Sequence, residues 1–207
     1  MNHTALVFAA HPDDAEICMG GTIAAMADAG WTVHIVVTSV PDQREQRLWE
    51  VQQGALILGG EAHVLDRPGI WQVEDLKTYQ LVSEFDRYVG ELVPDRVFTH
   101  WVDDTHRDHA LVARAAISTM RNSPADLFMY EQPNQYAPSR TSFPVDTYVD
   151  VSAQFERRMA AVSCHGSQSV GEKFGEQLRA RARYHGDRIG CEYAEAFSCV
   201  VQRLDLR

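Results

Sequence analysis

The chain has few cysteines, and their spacing is not that of a thiolate metal site. Its 207 residues include four cysteines. They are Cys18, Cys164, Cys191 and Cys199. No two of them form a Cys-x-x-Cys pair, so a cysteine-based zinc site is not expected. Reduced thiols are the default for such a pattern, and we predict a cytoplasmic protein.

Long apolar runs and an excess of positive charge are also lacking. No run approaches the roughly 18 apolar residues of a membrane span, and the first residues enter a predicted strand without room for a secretory signal. Lys and Arg number 19 against 29 Asp and Glu, a formal net charge of −10. This balance argues against a nucleic-acid partner. We expect a small-molecule substrate and no membrane partner. The sequence is also compatible with a homo-oligomer.

Strand-like and helix-like segments alternate along the chain, without repeats or low complexity. Strands are predicted near 4–10, 32–38, 62–65, 96–101, 127–130 and 196–203. Helices are predicted near 20–29, 44–58, 76–91, 109–121, 153–164 and 172–185. The alternation predicts a three-layer Rossmann-like α/β fold with a mostly parallel sheet flanked by helices, as one domain over 1–207.

Two further features bear on ligands. Gly20-Gly21 lacks the Gly-x-Gly-x-x-Gly spacing, and the carboxylates of Asp13 and Asp14 would repel a pyrophosphate, so a dinucleotide site is not expected. The proline-containing stretch 132–146 is the longest irregular segment and a candidate lid or rim of an active site.

The segment His11-Pro12-Asp13-Asp14-Ala15-Glu16 directly follows the apolar run of the first predicted strand. Ligands of open parallel sheets bind at this carboxyl edge. An imidazole and two adjacent carboxylates can hold a divalent metal and leave one carboxylate free to move protons. The alternative interpretation is a solvated Asp-rich turn after a strand.

A second polar cluster follows a second predicted strand. Val97 to Trp101 runs into the segment Asp103-Asp104-Thr105-His106-Arg107-Asp108-His109, and a helical pattern then begins. The carboxyl ends of parallel strands share one edge of a sheet, so both clusters are expected there. Convergence of two clusters favours a metal site over a solvated turn.

These residues resemble those of the PIG-L/LmbE-like family of metal-dependent deacetylases. The family motif Ala-His-Pro-Asp-Asp-x-Glu followed by Gly-Gly-Thr is met by 10–16 and 20–22, and Asp-x-His-x-Asp-His is met by 104–109. Looser similarity covers 148–152, 155–156, 165–168 and 194–197. The resemblance implies removal of an N-acetyl group from a small amino sugar or amino-sugar conjugate.

The resemblance also implies roles for individual residues. Carried over position by position, the metal ligands are His11, Asp14 and His109, and the metal is Zn²⁺, with Fe²⁺ or another divalent ion as alternatives. Asp13 matches the general base. His106 matches the histidine that stabilises the oxyanion, and Asp108 the carboxylate that orients and charges that imidazole. A third-ligand role for His106 stays open.

Other candidates carry two interpretations each. Arg47 resembles a family arginine that touches the sugar, or is an exposed helix cation. Asp104 is equally a helix cap or a loop hydrogen-bond acceptor. Tyr193 could reach the metal edge with its phenol, but a core position is favoured. His165 and Gln168 resemble family positions near the site or at a subunit contact, without a defined role. The remaining histidines are interpreted as structural, packed or surface residues: His3, His34, His63, His100 and His185.

The chain departs from the family pattern where the substrate is chosen. It reads Asp66-Arg67-Pro68-Gly69 where a Pro-Asp-Gly-like turn is common, and it has Arg107 where proline is common. Trp71 could line a pocket there. Hydrolysis of another small amide in natural-product metabolism, or a catalytically silent binding domain, therefore stays an alternative.

Overall fold

The computed structural model describes residues 3–65, 72–133, 142–168 and 171–203. The strands are β1 (Thr4–Ala9), β2 (Thr32–Val37), β3 (Glu61–Val64), β4 (Arg96–Thr99), β5 (Asp126–Tyr130), β6 (Thr147–Asp150) and β7 (Ala194–Val201). The α-helices are α1 (Asp14–Asp28), α2 (Arg44–Leu58), α3 (Thr78–Leu92), α4 (Arg107–Thr119), α5 (Phe155–Val162) and α6 (Glu172–Ile189).

The seven strands form one sheet in the order β3-β2-β1-β4-β5-β7-β6. The first five pair in parallel, and β7 lies antiparallel between β5 and β6. The chain changes direction across the sheet at β1: β2 and β3 lie on one side of β1, and β4 and β5 lie on the other. The carboxyl ends of β1 and β4 are therefore adjacent, and in such sheets this is where ligands bind.

Helices cover both faces of the sheet, because successive side chains of a buried strand point to opposite faces. Ala5, Val7 and Ala9 of β1 pack into a cluster with α1 and α2, whereas Leu6 and Phe8 pack into a second cluster with α3 and α4. Both faces of β1 are fully buried. The predicted three-layer, mostly parallel α/β fold is confirmed.

Two elements differ from the sequence prediction. Helix α1 begins at Asp14 rather than near residue 20, and it contains a break at Met19 (φ −146°, ψ 23°). Tertiary contacts hold the early turn: Arg158 donates to the Ile17 carbonyl oxygen, and Glu195 accepts from the Gly21 and Thr22 amides. Such contacts cannot be seen in local helix propensity.

Strand β6 is the second difference, since no strand was predicted at 147–150. Its residues are only partly buried, and it is an edge strand held by β7 alone. The stretch proposed as a lid falls largely on 134–141, outside the described residues, as do Trp71 and the Asp66 to Gly69 turn. Within the described residues, no helix is both long and apolar enough to cross a membrane.

Candidate metal centre

The first polar cluster lies in the connection between β1 and α1. Asp13 has a positive φ of 103°, which side-chain-bearing residues rarely adopt, and Asp14 begins the helix. Such a conformation costs about 1–3 kcal/mol and persists where surrounding contacts impose it. Here the His11 amide donates to Asp14 Oδ2 at 2.8 Å. The turn places His11, Asp13 and Asp14 beside the end of β4.

Asp14 lies at the centre of the site and is only 3% exposed. Three imidazole nitrogens surround its carboxylate: His109 Nε2 at 3.4 Å, His100 Nε2 at 3.3 Å and His11 Nδ1 at 3.8 Å. Burial alone would raise the pKa of Asp14, but His109 and His100 outweigh it and hold the pKa well below its usual value. The carboxylate is therefore charged and able to bind a cation.

Two histidines of the site each pair with a further carboxylate. His11 Nε2 lies 3.0 Å from Asp108 Oδ2, and His109 Nδ1 lies 3.0 Å from Asp104 Oδ2. In both rings the other nitrogen is the one that faces Asp14. Metal-binding histidines commonly donate their second N–H to a carboxylate in this way, which fixes the tautomer and the orientation of the ring.

This arrangement corrects the role expected for Asp108. The hydrogen bond of its side chain goes to His11, so Asp108 orients His11 and not His106. The reason is that His106 directly precedes α4, whereas Asp108 lies in its first turn and reaches the β1 loop. Burial lowers the pKa of His106, and the negative charge of Asp108 acts against that decrease, as expected of a carboxylate that charges the imidazole. Asp104 does make the loop hydrogen bond considered for it, accepting from the His106 amide at 2.8 Å.

Carboxylate and imidazole groups of the kind that bind a divalent cation converge here, and potential ligand atoms of Asp14, His100 and His109 lie within 4.8 Å of one another. Two ligands on one tetrahedral zinc are about 3.3–3.6 Å apart, given bonds of about 2.0–2.2 Å. The separations of 3.4 and 3.8 Å between Asp14 and the histidines His109 and His11 are close to that range, and exceed those of a good N–H···O hydrogen bond. Burial lowers the pKa of His109, but Asp14 and Asp104 outweigh it and raise the pKa to about 10. The carboxylates thus attract positive charge to this position.

Asp13 stands beside this donor set and not within it. Burial and the neighbouring Asp14 carboxylate raise its pKa to about 8, while His165 and Arg47 oppose that rise. A carboxyl group with a pKa near neutrality is suited to proton transfer. A perturbed pKa of this kind in a polar cleft is typical of functional residues.

His106 lies at the exposed rim of the site. Its ring stacks on His109 with the ring centres 4.3 Å apart, and lies 5.2 Å from the ring of His11. Partial burial and the neighbouring His109 and His11 lower its pKa, so it is mainly neutral at pH 7. His11, His106 and His109 each have a ring nitrogen within 4.8 Å of the corresponding nitrogens of the other two, so His106 stays an alternative ligand.

His100 has a larger part in the site than the sequence suggested. It is fully buried and stacks on His109, with the ring centres 4.0 Å apart. Its Nε2 lies within 4.8 Å of potential ligand atoms of Asp14 and His109, but the lone pair of this nitrogen accepts a hydrogen bond from the Ala10 amide at 2.9 Å. We therefore interpret His100 as a positioning residue. The signal in the sequence was its place directly after β4, next to the second cluster.

The lower-ranked candidates lie around this centre. Arg47 is 4% exposed and donates to the Pro12 carbonyl oxygen and to Asp42, so the exposed-cation interpretation is wrong. His165 is buried with its Nε2 3.3 Å from Glu16 Oε1. Gln168 donates to the Ser167 hydroxyl. Tyr193 packs on Phe155, and its hydroxyl accepts from Arg179 at 3.0 Å, as expected of a core tyrosine.

Comparison with protein families places the chain in a class of enzymes that fits this site. Residues 6–120 match the family model PIG-L, described as GlcNAc-PI de-N-acetylase. That range includes β1, β4 and both polar clusters. The chain belongs to the PIG-L family, which confirms the resemblance seen in its two motifs. It also agrees with the prediction of a hydrolytic deacetylase.

The proteins to which this chain is similar include hydratases as well as a deacetylase. A 4-oxalmesaconate hydratase of Pseudomonas putida is 24% identical over 80% of this chain and 74% of its own length. A 4-carboxy-2-hydroxymuconate hydratase of Pseudomonas putida KT2440 superposes with a TM-score of 0.82 at 19% identity, covering 99% of both chains. The N,N'-diacetylchitobiose deacetylase of Pyrococcus horikoshii superposes with a TM-score of 0.75 at 23% identity, over 95% of this chain and 83% of its own.

Proposed function

We propose that the protein is a metal-dependent hydrolase that removes an N-acetyl group from a small amino sugar or amino-sugar conjugate. Its metal is proposed to be zinc, with ferrous iron as the main alternative, held by His11, Asp14 and His109. Family membership supports the deacetylase reaction. The cytoplasmic location stays a prediction.

One observation carries the proposal. His11 and His109 each pair one ring nitrogen with a carboxylate and present the other to the buried Asp14. The neighbouring Asp13 is left out of these pairs and has a pKa raised to about 8 by burial and Asp14. A merely structural cation site needs the first feature but gains nothing from the second.

The proposed chemistry divides among the side chains. A divalent cation held there supplies Lewis acidity toward the acyl carbonyl group and makes a water easier to deprotonate. The water oxygen bonds to the acyl carbon while Asp13 accepts the proton of the water. The amide C–N bond then breaks as Asp13 returns that proton to the nitrogen, and the amine and acetate are released. His106, at the rim, is placed to donate a hydrogen bond to the oxyanion that develops on the substrate. Asp108 and Asp104 hold the two histidine ligands in orientation.

The test combines metal analysis with acetate release. The purified protein is freed of metal, reloaded with Zn²⁺ or Fe²⁺, and incubated with a panel of N-acetylated sugars and sugar conjugates. We expect metal-dependent acetate release from at least one of them, and loss of that metal in His109→Ala. Full metal occupancy in His109→Ala would contradict the ligand assignment, and no acetate from any member would contradict the substrate class.

The hydratase relative supports a second candidate function. In this proposal, Asp13 would act as the base and the same residues would hold the cation for addition of water across a carbon–carbon double bond; the hydratase match covers 80% of this chain. The discriminating experiment incubates the metal-loaded protein with 4-oxalmesaconate and follows the ultraviolet absorbance of its conjugated system. Loss of absorbance without acetate release from the panel would favour the hydratase.

Two further alternatives follow from the departures in the sequence. A different small amide is distinguished by release of an acyl group other than acetate. A silent binding domain is distinguished by stoichiometric metal without turnover on any amide or hydratase substrate. The raised pKa of Asp13 is the observation against the silent domain.

A further inference from the structure

A second group of side chains that could bind a metal ion lies toward the β3 edge of the sheet, away from β4. It consists of His34 on β2 with Glu61 and His63 on the edge strand β3. The strands pair in parallel, with His34 opposite Glu61 and Val36 opposite His63. Residues two apart on a strand share a face, so all three side chains extend from the same face of the sheet. The His63 ring lies 5.8 Å from Tyr88 of α3.

The distances within this group are close to those around one cation. His34 Nδ1 lies 3.0 Å from His63 Nε2 and 3.4 Å from Glu61 Oε2. One potential ligand atom from each of the three residues lies within 4.8 Å of those of the other two. Two ligands of a tetrahedral zinc are about 3.3–3.6 Å apart, given bonds of about 2.0–2.2 Å. To admit the ion, the two nitrogens separate by a few tenths of an ångström and the rings turn so that both lone pairs face it.

The burial of His34 and the exposure of Glu61 both suit a ligand site. His34 is 8% exposed, so its ring is held in place by the surrounding side chains. Glu61 is 66% exposed in its side chain, so its carboxylate can adjust to an ion without strain in the core.

We propose that His34, Glu61 and His63 form a second cation site, separate from the centre at His11, Asp14 and His109. Two imidazoles and a carboxylate are the ligands that suit zinc and similar transition metals. Three protein ligands leave a fourth position for water or a ligand from outside. The bound ion links the edge strand β3 to β2 and stabilises that edge.

The experiment uses the full chain, freed of metal by a chelator and with any affinity tag removed. Zn²⁺ alone is added, and bound metal is counted by mass spectrometry after equilibrium dialysis. We expect two bound ions per chain in the wild type. His63→Ala and Glu61→Gln are each expected to weaken one of the two by about tenfold or more, while the ion at the first centre is retained. His109→Ala should have the converse effect.

The matched control is His3→Ala. His3 also has a carboxylate nearby, at 3.4 Å from Asp95, but it has no second histidine at that position and should change neither ion. Circular dichroism of His63→Ala and Glu61→Gln verifies folding, and Glu61 is exposed enough to be replaced without loss of the core. A wild type that binds one ion, with that ion unaffected in His63→Ala, overturns the second site. An ion lost in His63→Ala but unaffected in His109→Ala overturns the first centre instead.

Discussion

At the scale of single residues, the site separates two adjacent carboxylates by environment. Asp14 is buried against histidines that hold its pKa low, whereas burial and Asp14 itself raise the pKa of Asp13 to about 8. Asp13 has a positive φ, and Asp14 begins helix α1. Environments that push two pKa values apart are typical of residues with different roles in one reaction.

Asp13→Asn tests the base. Asparagine tolerates a positive φ and has nearly the same size, but its amide does not accept the proton of water at neutral pH. We expect retained metal and a fall in kcat of about 10²–10⁴-fold. Rates and metal content are measured on the same preparation. A near-wild-type rate would remove Asp13 as the base, and loss of the metal would make it a ligand.

His106→Ala tests the rim histidine. If it meets charge that develops only in the transition state, kcat should fall by about 10²–10³-fold with little change in KM and full metal occupancy. Steady-state kinetics beside metal analysis decide this. Loss of the metal would assign His106 to the ligands.

Asp108→Asn supplies the contrast, because Asp108 pairs with His11 and not with His106. Loss of such a partner typically costs about 10–100-fold in metal affinity or activity. We expect weaker metal binding from Asp108→Asn and unchanged metal binding from His106→Ala. The same pattern in both variants would contradict the geometry of the two pairs.

At the scale of elements, β7 anchors the broken helix α1. Glu195 accepts hydrogen bonds from the Gly21 amide at 2.9 Å and from the Thr22 amide and hydroxyl at 2.7 and 2.6 Å. Arg158 of α5 pairs with the same carboxylate at 3.2 Å. All four residues are buried. This contact sets where α1 lies relative to the sheet, and therefore where Asp14 lies.

Glu195→Ala is expected to lower the free energy of unfolding by about 3–5 kcal/mol, because it leaves the buried Arg158 charge and two amides without their partner. Urea unfolding measures the change. Glu192→Gln is the control, since Glu192 is exposed and its carboxylate forms only a long ion pair with Arg183, at 3.9 Å. This variant should alter the free energy of unfolding by less than about 0.5 kcal/mol. Equal effects of the two variants would contradict the anchoring role.

The close approach of α1 to its neighbours predicts opposite effects at two glycines. A Cβ at Gly21 would lie 2.7 Å from Val151 Cβ, whereas at Gly90 of α3 it would meet nothing within 4 Å. Gly21→Ala should destabilise by about 1–3 kcal/mol through overpacking. Gly90→Ala should stabilise by about 0.5–1 kcal/mol through helix propensity. Thermal unfolding of both variants checks the two signs.

At the scale of the whole molecule, the metal-free protein should lose stability as the pH rises above about 6.5. The His109 pKa is raised from 6.5 to about 10 by Asp14 and Asp104 against the effect of burial, and the Asp13 pKa is raised from 3.8 to about 8 by burial and Asp14. Over this range the folded state holds protons that the unfolded state has released, so the free energy of unfolding decreases with pH.

Urea unfolding of the metal-free protein at pH 6.5, 8 and 10 measures this slope. Asp13→Asn should remove the part of the decrease in the free energy of unfolding that occurs below about pH 8, because an amide does not titrate. Added Zn²⁺ should weaken or reverse it, since metal ligands must be deprotonated. A flat stability between pH 6.5 and 10 in the metal-free wild type would contradict the raised pKa of His109.

Much of the fold and the site was present in local patterns of the sequence. The apolar run before His11 and the one before His106 predict two buried strands, and parallel strands place their carboxyl ends at one edge. The two clusters were therefore expected to lie close together, and the two family motifs identified the candidate residues within them. The weak signals were in β6, a short, partly buried edge strand, and in the first turn of α1, which is held by distant residues.

The sequence by itself determined the parallel core around β1 and the meeting of its two polar clusters, because burial on both faces requires unbroken apolar strands and these end in ionisable residues. Only the tertiary structure decided that Asp108 pairs with His11, that Asp104 pairs with His109, and that Glu195 anchors α1. Those contacts depend on the direction of side chains from elements far apart in the chain, which short-range periodicity does not contain.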